Sequence, residues 1–345
     1  MIIRAMAILF AYGASFDSVL FAQDDLTVDK AHMVGVFQAH QASIENLRTG
    51  DVLIKINIMG EGILEDFPPG PDSQSLVSET SGYIRFIFDF DKNRFVVVNR
   101  RTSTFNLYDA LGDEIGDVHR SANDSAGVYD KPNRVSRMRQ SNGQIDDLQR
   151  ITEDENRFLQ VNSVPQVFGL GCSPFSTTDA WQPFSRVFQV LNQTNNVDAI
   201  RNLENVGKNR YRTESVLELK QSPAGGIRFE SEWDVRRQVP VKFAYFAGVK
   251  ADVEKAFSLR PITTCSVEWK ELNGEVIPVL GRGTNSGGID VNGRTFGVHY
   301  EFEMKMHWFS INETITDETF DKAILRDVDK LSELVDGKWF NVEKK

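Results

Sequence analysis

Cysteine is nearly absent from this chain, with two residues among 345, and histidine is scarce, with five. Cys172 and Cys265 sit in no CxxC pair, so a thiolate metal site or a thioredoxin-like redox centre has no basis. In an oxidising compartment the two pair; in a reducing one they are two buried thiols, and the sequence leaves both open. The histidines form no HExxH pair and no recognisable triad, His32 and His40 standing eight apart. No GK[ST] loop or GxSxG turn is present: Gly169-Leu170-Gly171-Cys172-Ser173-Pro174 and Gly281-Arg282-Gly283 match neither pattern and are expected as loops. The expectation is a protein without catalytic machinery, metal or cofactor. Apolar runs approaching the ~18 residues of a membrane-spanning helix are missing as well. Positive charge is outweighed, with 39 Lys and Arg against 49 Asp and Glu and a net charge of −10, so nucleic acid is an unsuitable partner.

What the chain does have is phenylalanine, 24 residues of it, and long alternating stretches. Its N-terminus has the form of an export signal: Arg4, an apolar segment over residues 5–14, and a cleavage site expected after Ala22. Export to the periplasm or cell envelope follows from that expectation. A helix is expected over residues 28–48, capped by Thr27, from the spacing of Val34, Phe37, Ile44 and Leu47. The period then becomes two, with Val52, Ile54, Ile56 and Ile58 on one face of a strand and Lys55 and Asn57 on the other. Pro68, Pro69, Gly70 and Pro71 place a long loop over residues 59–82. Ile84, Phe86, Phe88 and Phe90 alternate into a turn at residues 91–93 and a return strand to Asn99. Residues 100–160 are polar, include Lys131, Arg134, Arg137 and Arg139, and are expected as an insertion.

Trp181, Phe184, Val187, Phe188 and Leu191 mark a helix, and Val197, Ile200, Leu203 and Val206 a second short one. From Tyr211 onward the chain is a run of strands carrying Phe229, Trp233, Phe243, Cys265, Val267 and Trp269, with a tight turn at Asn273-Gly274. The most regular strand sets Val298, Tyr300, Phe302, Met304, Met306 and Trp308 against His299, Glu301, Glu303, Lys305 and His307. Imidazole and carboxylate suit zinc or iron, but His299 and His307 stand too far apart for one ion, and a solvated polar face is expected. A final helix is expected from Asp317 through Phe320, Ile324, Val328, Leu331 and Val335. Consecutive strands flanked by helices give an α+β fold: an antiparallel sheet, strongly curved, with helices covering one side.

Two segments carry a family resemblance. Residues 267–278 (VEWKELNGEVIP) are similar to a strand–turn–strand, and residues 308–320 (WFSINETITDETF) to a last strand and corner, of a group of exported planctomycete proteins that in turn resemble the LolA/LolB-type periplasmic lipoprotein carriers. The resemblance implies an unclosed antiparallel half-barrel over residues 23–320, with helices on its concave side, followed by a C-terminal helix and tail over residues 321–345. It implies a lipid or a lipoprotein acyl chain as partner. Arg85 and Arg94 correspond by position only to the carriers' functional arginine. Ile84, Phe86, Phe88, Phe229, Trp233, Tyr300, Phe302, Met304 and Trp308 are then the candidate lining, although the same residues serve equally as ordinary core. An envelope protein–protein interaction or sensory module without internal ligand is the alternative function.

Overall fold

Helix α1 (Lys30–Glu45) starts where a side chain replaces the missing backbone partner. The Asp29 carboxylate accepts from the His32 amide at 2.7 Å, so Asp29, two residues past the expected Thr27, is the cap. The computed structural model of the protein describes residues 28–64, 74–92, 94–116, 119–130, 135–139, 146–150, 197, 200–218, 226–247, 261–291, 294–320, 331–335 and 338–342. The expected leader, the segment 169–174, Cys172 and the helix expected around Trp181 lie outside them.

Fifteen strands form one sheet: β1 (Thr49–Leu64), β2 (Ser75–Asp89), β3 (Arg94–Tyr108), β4 (His119–Asp130), β5 (Val135–Arg139), β6 (Asp146–Arg150), β7 (Ile200–Gly207), β8 (Arg210–Glu218), β9 (Gly226–Asp234), β10 (Val239–Ala247), β11 (Thr263–Leu272), β12 (Glu275–Val291), β13 (Arg294–Ile311), β14 (Leu331–Val335) and β15 (Lys338–Val342). Their order is β15-β14-β6-β5-β4-β3-β2-β1-β13-β12-β11-β10-β9-β8-β7. Two meanders therefore meet at β1 and β13, which pair antiparallel from Gly50↔Ile311 to Leu64↔Phe296. Every pairing is antiparallel except β14 on β6. Among the described residues β15 and β7 remain as edges, so the sheet is unclosed.

Alternation explains the centre of the sheet. Val52, Ile54, Ile56 and Ile58 of β1 lie beside Trp308, Met306, Met304 and Phe302 of β13, all buried, while Lys55, Asn57, Glu301 and Lys305 point the other way. Prolines stand where the ladder is broken. Pro278 is opposite Trp269 at a register shift in the β11–β12 pair, and Pro240 at another between β9 and β10. The indole of Trp308 donates to the Pro278 carbonyl at 3.0 Å and that of Trp269 to the Pro240 carbonyl at 2.5 Å. The expected Asn273-Gly274 turn joins β11 to β12, with φ of 54° and 82°.

Several expectations are corrected. The loop over residues 59–82 shrinks, because β1 runs to Leu64 and β2 begins at Ser75. Gly60 and Gly62 fall inside that expected loop, yet they are strand positions facing large neighbours. A Cβ at Gly60 would meet the Tyr300 ring at 2.5 Å, and one at Gly62 would meet Val298 Cγ2 at 2.6 Å. The same holds in β12, where the expected loop at residues 281–283 is strand and a Cβ at Gly283 would meet Phe302 Cζ at 2.8 Å. The polar segment 100–160 supplies the end of β3 and then β4, β5 and β6 to the sheet. The short helix expected through Ile200 and Leu203 is β7, paired to β8, and Leu331–Val335 is β14 rather than helix. In both, backbone pairing with a neighbouring strand overrides a short i, i+3 pattern.

The corner after β13 is locked to the start of β1. Asn312 Oδ1 accepts from the Arg48 amide at 2.8 Å, and the Thr49 hydroxyl donates to the Glu313 carbonyl at 2.6 Å. The chain then crosses to the polar-side face of β2 and β3, where Ile315 and Phe320 bury Ile87 and Val96. Arg94 lies beneath, its guanidinium 4.1 Å from the Phe320 ring centroid and ion-paired to Asp89 at 3.0 Å and Asp317 at 2.7 Å.

Candidate functional site

The apolar side of the sheet is the candidate site named by the sequence. Phe86, Phe88, Tyr300, Phe302, Met304 and Trp308 are buried in one continuous cluster, with Ile84 packed against it. The rings of Phe86 and Phe88 stack at 5.3 Å. The cluster takes in β1, β2, β10, β11, β12 and β13, and apart from Leu47 each of its buried members is on a strand. Glycine makes this possible on a crowded face: Gly50 lies under Phe88, Gly60 under Tyr300 and Gly283 under Phe302. Two expected members stand elsewhere. Trp233 joins Tyr211, Val235 and Ile200 beneath Met33, Val36 and Phe37 of α1, and Phe229 packs on Tyr245 at 5.5 Å.

Met306, expected on this face, joins the cluster, and Trp269 and His40 stand there in addition to the expected lining. His40 comes from α1 and is 2% exposed, edge-on to the rings of Trp233 at 5.5 Å and Trp269 at 5.2 Å. Burial drives its pKa from 6.5 to about 3, against a hydrogen bond to the Gln238 backbone that favours the protonated ring. The imidazole is therefore a neutral wall element between two indoles. Its spacing after Met33, Val36 and Phe37, which puts it on the buried face of the helix, was its only sequence mark. Cys265 is buried on β11 in the main cluster. Of the two arginines, Arg85 is at the surface, bidentate to Asp51 at 3.0 and 2.6 Å, and Arg94 is enclosed in the corner described above.

The opposite face carries a second feature, a trough of about 800 Å³ with charged side chains along it and Phe243, Cys265 and Phe302 of the apolar cluster reaching its lining. Register builds it. Asn57 is beside Glu303, Glu303 beside Arg282, Arg282 beside Ser266, Ser266 beside Lys242, Lys242 beside Glu232, and Glu232 beside Arg212. Arg282 Nε donates to Glu303 at 2.7 Å, Lys305 reaches the same carboxylate at 2.7 Å, and Lys242 lies 3.6 Å from Glu232. Lys305 and Arg282 hold the Glu303 carboxyl below its ordinary value. Glu301 and Glu303 share this face with His299 and His307, as alternation predicts, but the carboxylate of Glu303 is committed to cations. His299 meets Ser286 at 3.1 Å and His307 the Phe309 ring at 4.8 Å. Among the described residues no three His, Cys, Asp or Glu side chains converge on a point. Nothing in the linear sequence announces the trough, because its members come from seven strands and only the pairing register aligns them.

No family model matches the chain, and no curated protein matches it. Among solved structures it is similar to a DUF1329 family protein from Desulfovibrio piger, at 10% identity and a TM-score of 0.32, covering 86% of this chain and all of that one. It is also similar to a LolA superfamily protein from Nitrosomonas europaea, at 9% identity and a TM-score of 0.30, covering 82% and 96%. Superpositions this loose transfer neither fold nor function.

Proposed function

We propose that the protein is a non-catalytic binding protein of the cell envelope that shelters a lipid or other apolar ligand against the apolar side of its sheet. The observation that carries this reading is the breadth of that side. Aliphatic side chains, rings and thioethers from six adjacent strands together form one surface, and the apolar residues of α1 belong to a separate cluster at the β7–β9 end. Met304 and Met306 supply unbranched, polarizable side chains that re-pack around flexible chains. An open sheet has no closed ring of hydrogen bonds to break when it admits such an occupant. Export rests on the expected N-terminal leader, and the carrier-like role on the two sequence segments that resemble the lipoprotein carriers.

The test is recovery of ligand. Full-length protein purified from an expression host without detergent is extracted and its organic phase analysed by mass spectrometry. In parallel, quenching of tryptophan fluorescence is titrated with a brominated fatty acid. The expected result is near-stoichiometric acyl lipid and saturable quenching, reduced in a Phe302→Asp variant that remains folded by circular dichroism. No recovered lipid together with no saturable quenching overturns the proposal. The protein–protein interaction alternative predicts that outcome.

A further inference from the structure

We propose that the trough on the other face of the sheet is a binding site for a neutral, polyhydroxylated ligand, an oligosaccharide, held by charged side chains that are not part of the apolar cluster. Its composition narrows the chemistry. Among the described residues the lining holds three cations, Arg212, Lys242 and Arg282, against four carboxylates, Glu230, Glu232, Glu301 and Glu303. A polyanion is disfavoured because the four carboxylates outnumber the three cations along the lining. A hard metal ion is excluded as well, since the carboxylates do not converge and Glu303 and Glu232 already face cations. Met59, Ala244, Phe243, Cys265 and Phe302 also reach the lining, but a wholly apolar ligand would strip water from seven charged side chains and give them no partner.

What remains is a ligand that both donates and accepts along its whole length without charge. Vicinal hydroxyls do so, accepting from guanidinium or ammonium and donating to carboxylate, and bonds to charged partners are the stronger kind. The ion pairs across the trough keep these groups oriented in the absence of ligand: Arg282 on Glu303 at 2.7 Å, and Lys242 near Glu232 at 3.6 Å. The hydroxyls of Thr264 and Thr284, 2.8 Å apart, add neutral partners on the floor. From Asn57 on β1 to Arg212 on β8 the row crosses six inter-strand steps, about 29 Å at the usual strand spacing, which is the reach of an extended oligomer rather than a single sugar ring. A peptide is less well matched. The backbone groups of the floor are already spent in the ladders on both sides, so an extended peptide finds no strand edge to pair with there.

The experiment is calorimetric titration of the full chain with cellohexaose, chitohexaose and mannohexaose, with a polar hexapeptide and inorganic polyphosphate as comparators. At least one neutral hexasaccharide is expected to bind saturably and more tightly than its monosaccharide. In an Arg282→Gln, Lys242→Gln double variant the affinity falls roughly tenfold or more, as loss of two charge-assisted contacts requires. Ser266→Trp, which fills the exposed floor without changing charge, abolishes binding. Both variants keep the wild-type melting temperature and fatty-acid quenching, which separates this site from the apolar one. Failure of all three hexasaccharides, preference for the peptide or polyphosphate, or binding undiminished in Ser266→Trp overturns the assignment.

Discussion

His40 makes the stability of this protein depend on pH in a calculable way. Its imidazole is enclosed by Trp233 and Trp269, and its pKa is pushed from 6.5 to about 3 by burial. The unfolded chain therefore binds a proton that the native state refuses. The stabilisation is complete above the unfolded value and is lost as pH falls from 6.5 toward 3. At pH 5 the unfolded imidazole is largely protonated and the native one is not. At ~1.4 kcal/mol per unit, the gap of 1.5 units below 6.5 costs about 2 kcal/mol relative to pH 7.5. The assay is urea unfolding of wild type and His40→Phe at both pH values. Phenylalanine keeps an aromatic ring between the indoles and removes the titration. Its lost hydrogen bond to the Gln238 backbone offsets stability equally at both pH values and leaves the difference intact. Wild type is expected to lose about 2 kcal/mol more than the variant between pH 7.5 and pH 5. Equal losses would refute the reasoning, since they would mean that the ring is protonated in the native state.

Other perturbations test other parts of the fold. Arg94→Met removes the partner of Asp89, whose side chain is 6% exposed, and the stranded carboxylate should cost about 3–5 kcal/mol in urea unfolding. Asp317→Asn, at an exposed partner of the same arginine, should cost much less. Gly283→Val drives side-chain atoms into Phe302 and the Thr264 backbone and should destabilise by at least ~1–3 kcal/mol, whereas Gly287→Ala on the same strand meets nothing within 4 Å and should stay within ~0.5 kcal/mol. Trp308→Phe removes the indole bond to the Pro278 carbonyl and should lower stability by ~1 kcal/mol or more, read as a drop in melting temperature.

Much of the architecture was legible because the side-chain period in a strand is two. Val52 to Ile58 and Val298 to Trp308 declare their faces in one dimension, and the first helix and the turn at Asn273-Gly274 follow from equally local chemistry. The polar strands β4, β5 and β6 were not legible, since a strand without apolar alternation owes its existence to a neighbour's unpaired backbone. Glycine misled for a related reason. Gly60 and Gly283 look like breaks until a ring from the adjacent strand is seen to occupy the missing side chain's space. The sequence by itself determined which residues are greasy, which are charged, and that they alternate. Only the tertiary structure decided that β1 closes on β13, that His40 is sealed between two tryptophans, and that Glu303, Arg282, Lys242, Glu232 and Arg212 fall into one line. Register between strands distant in the chain is set by the sum of many pair contacts, and no single segment encodes it.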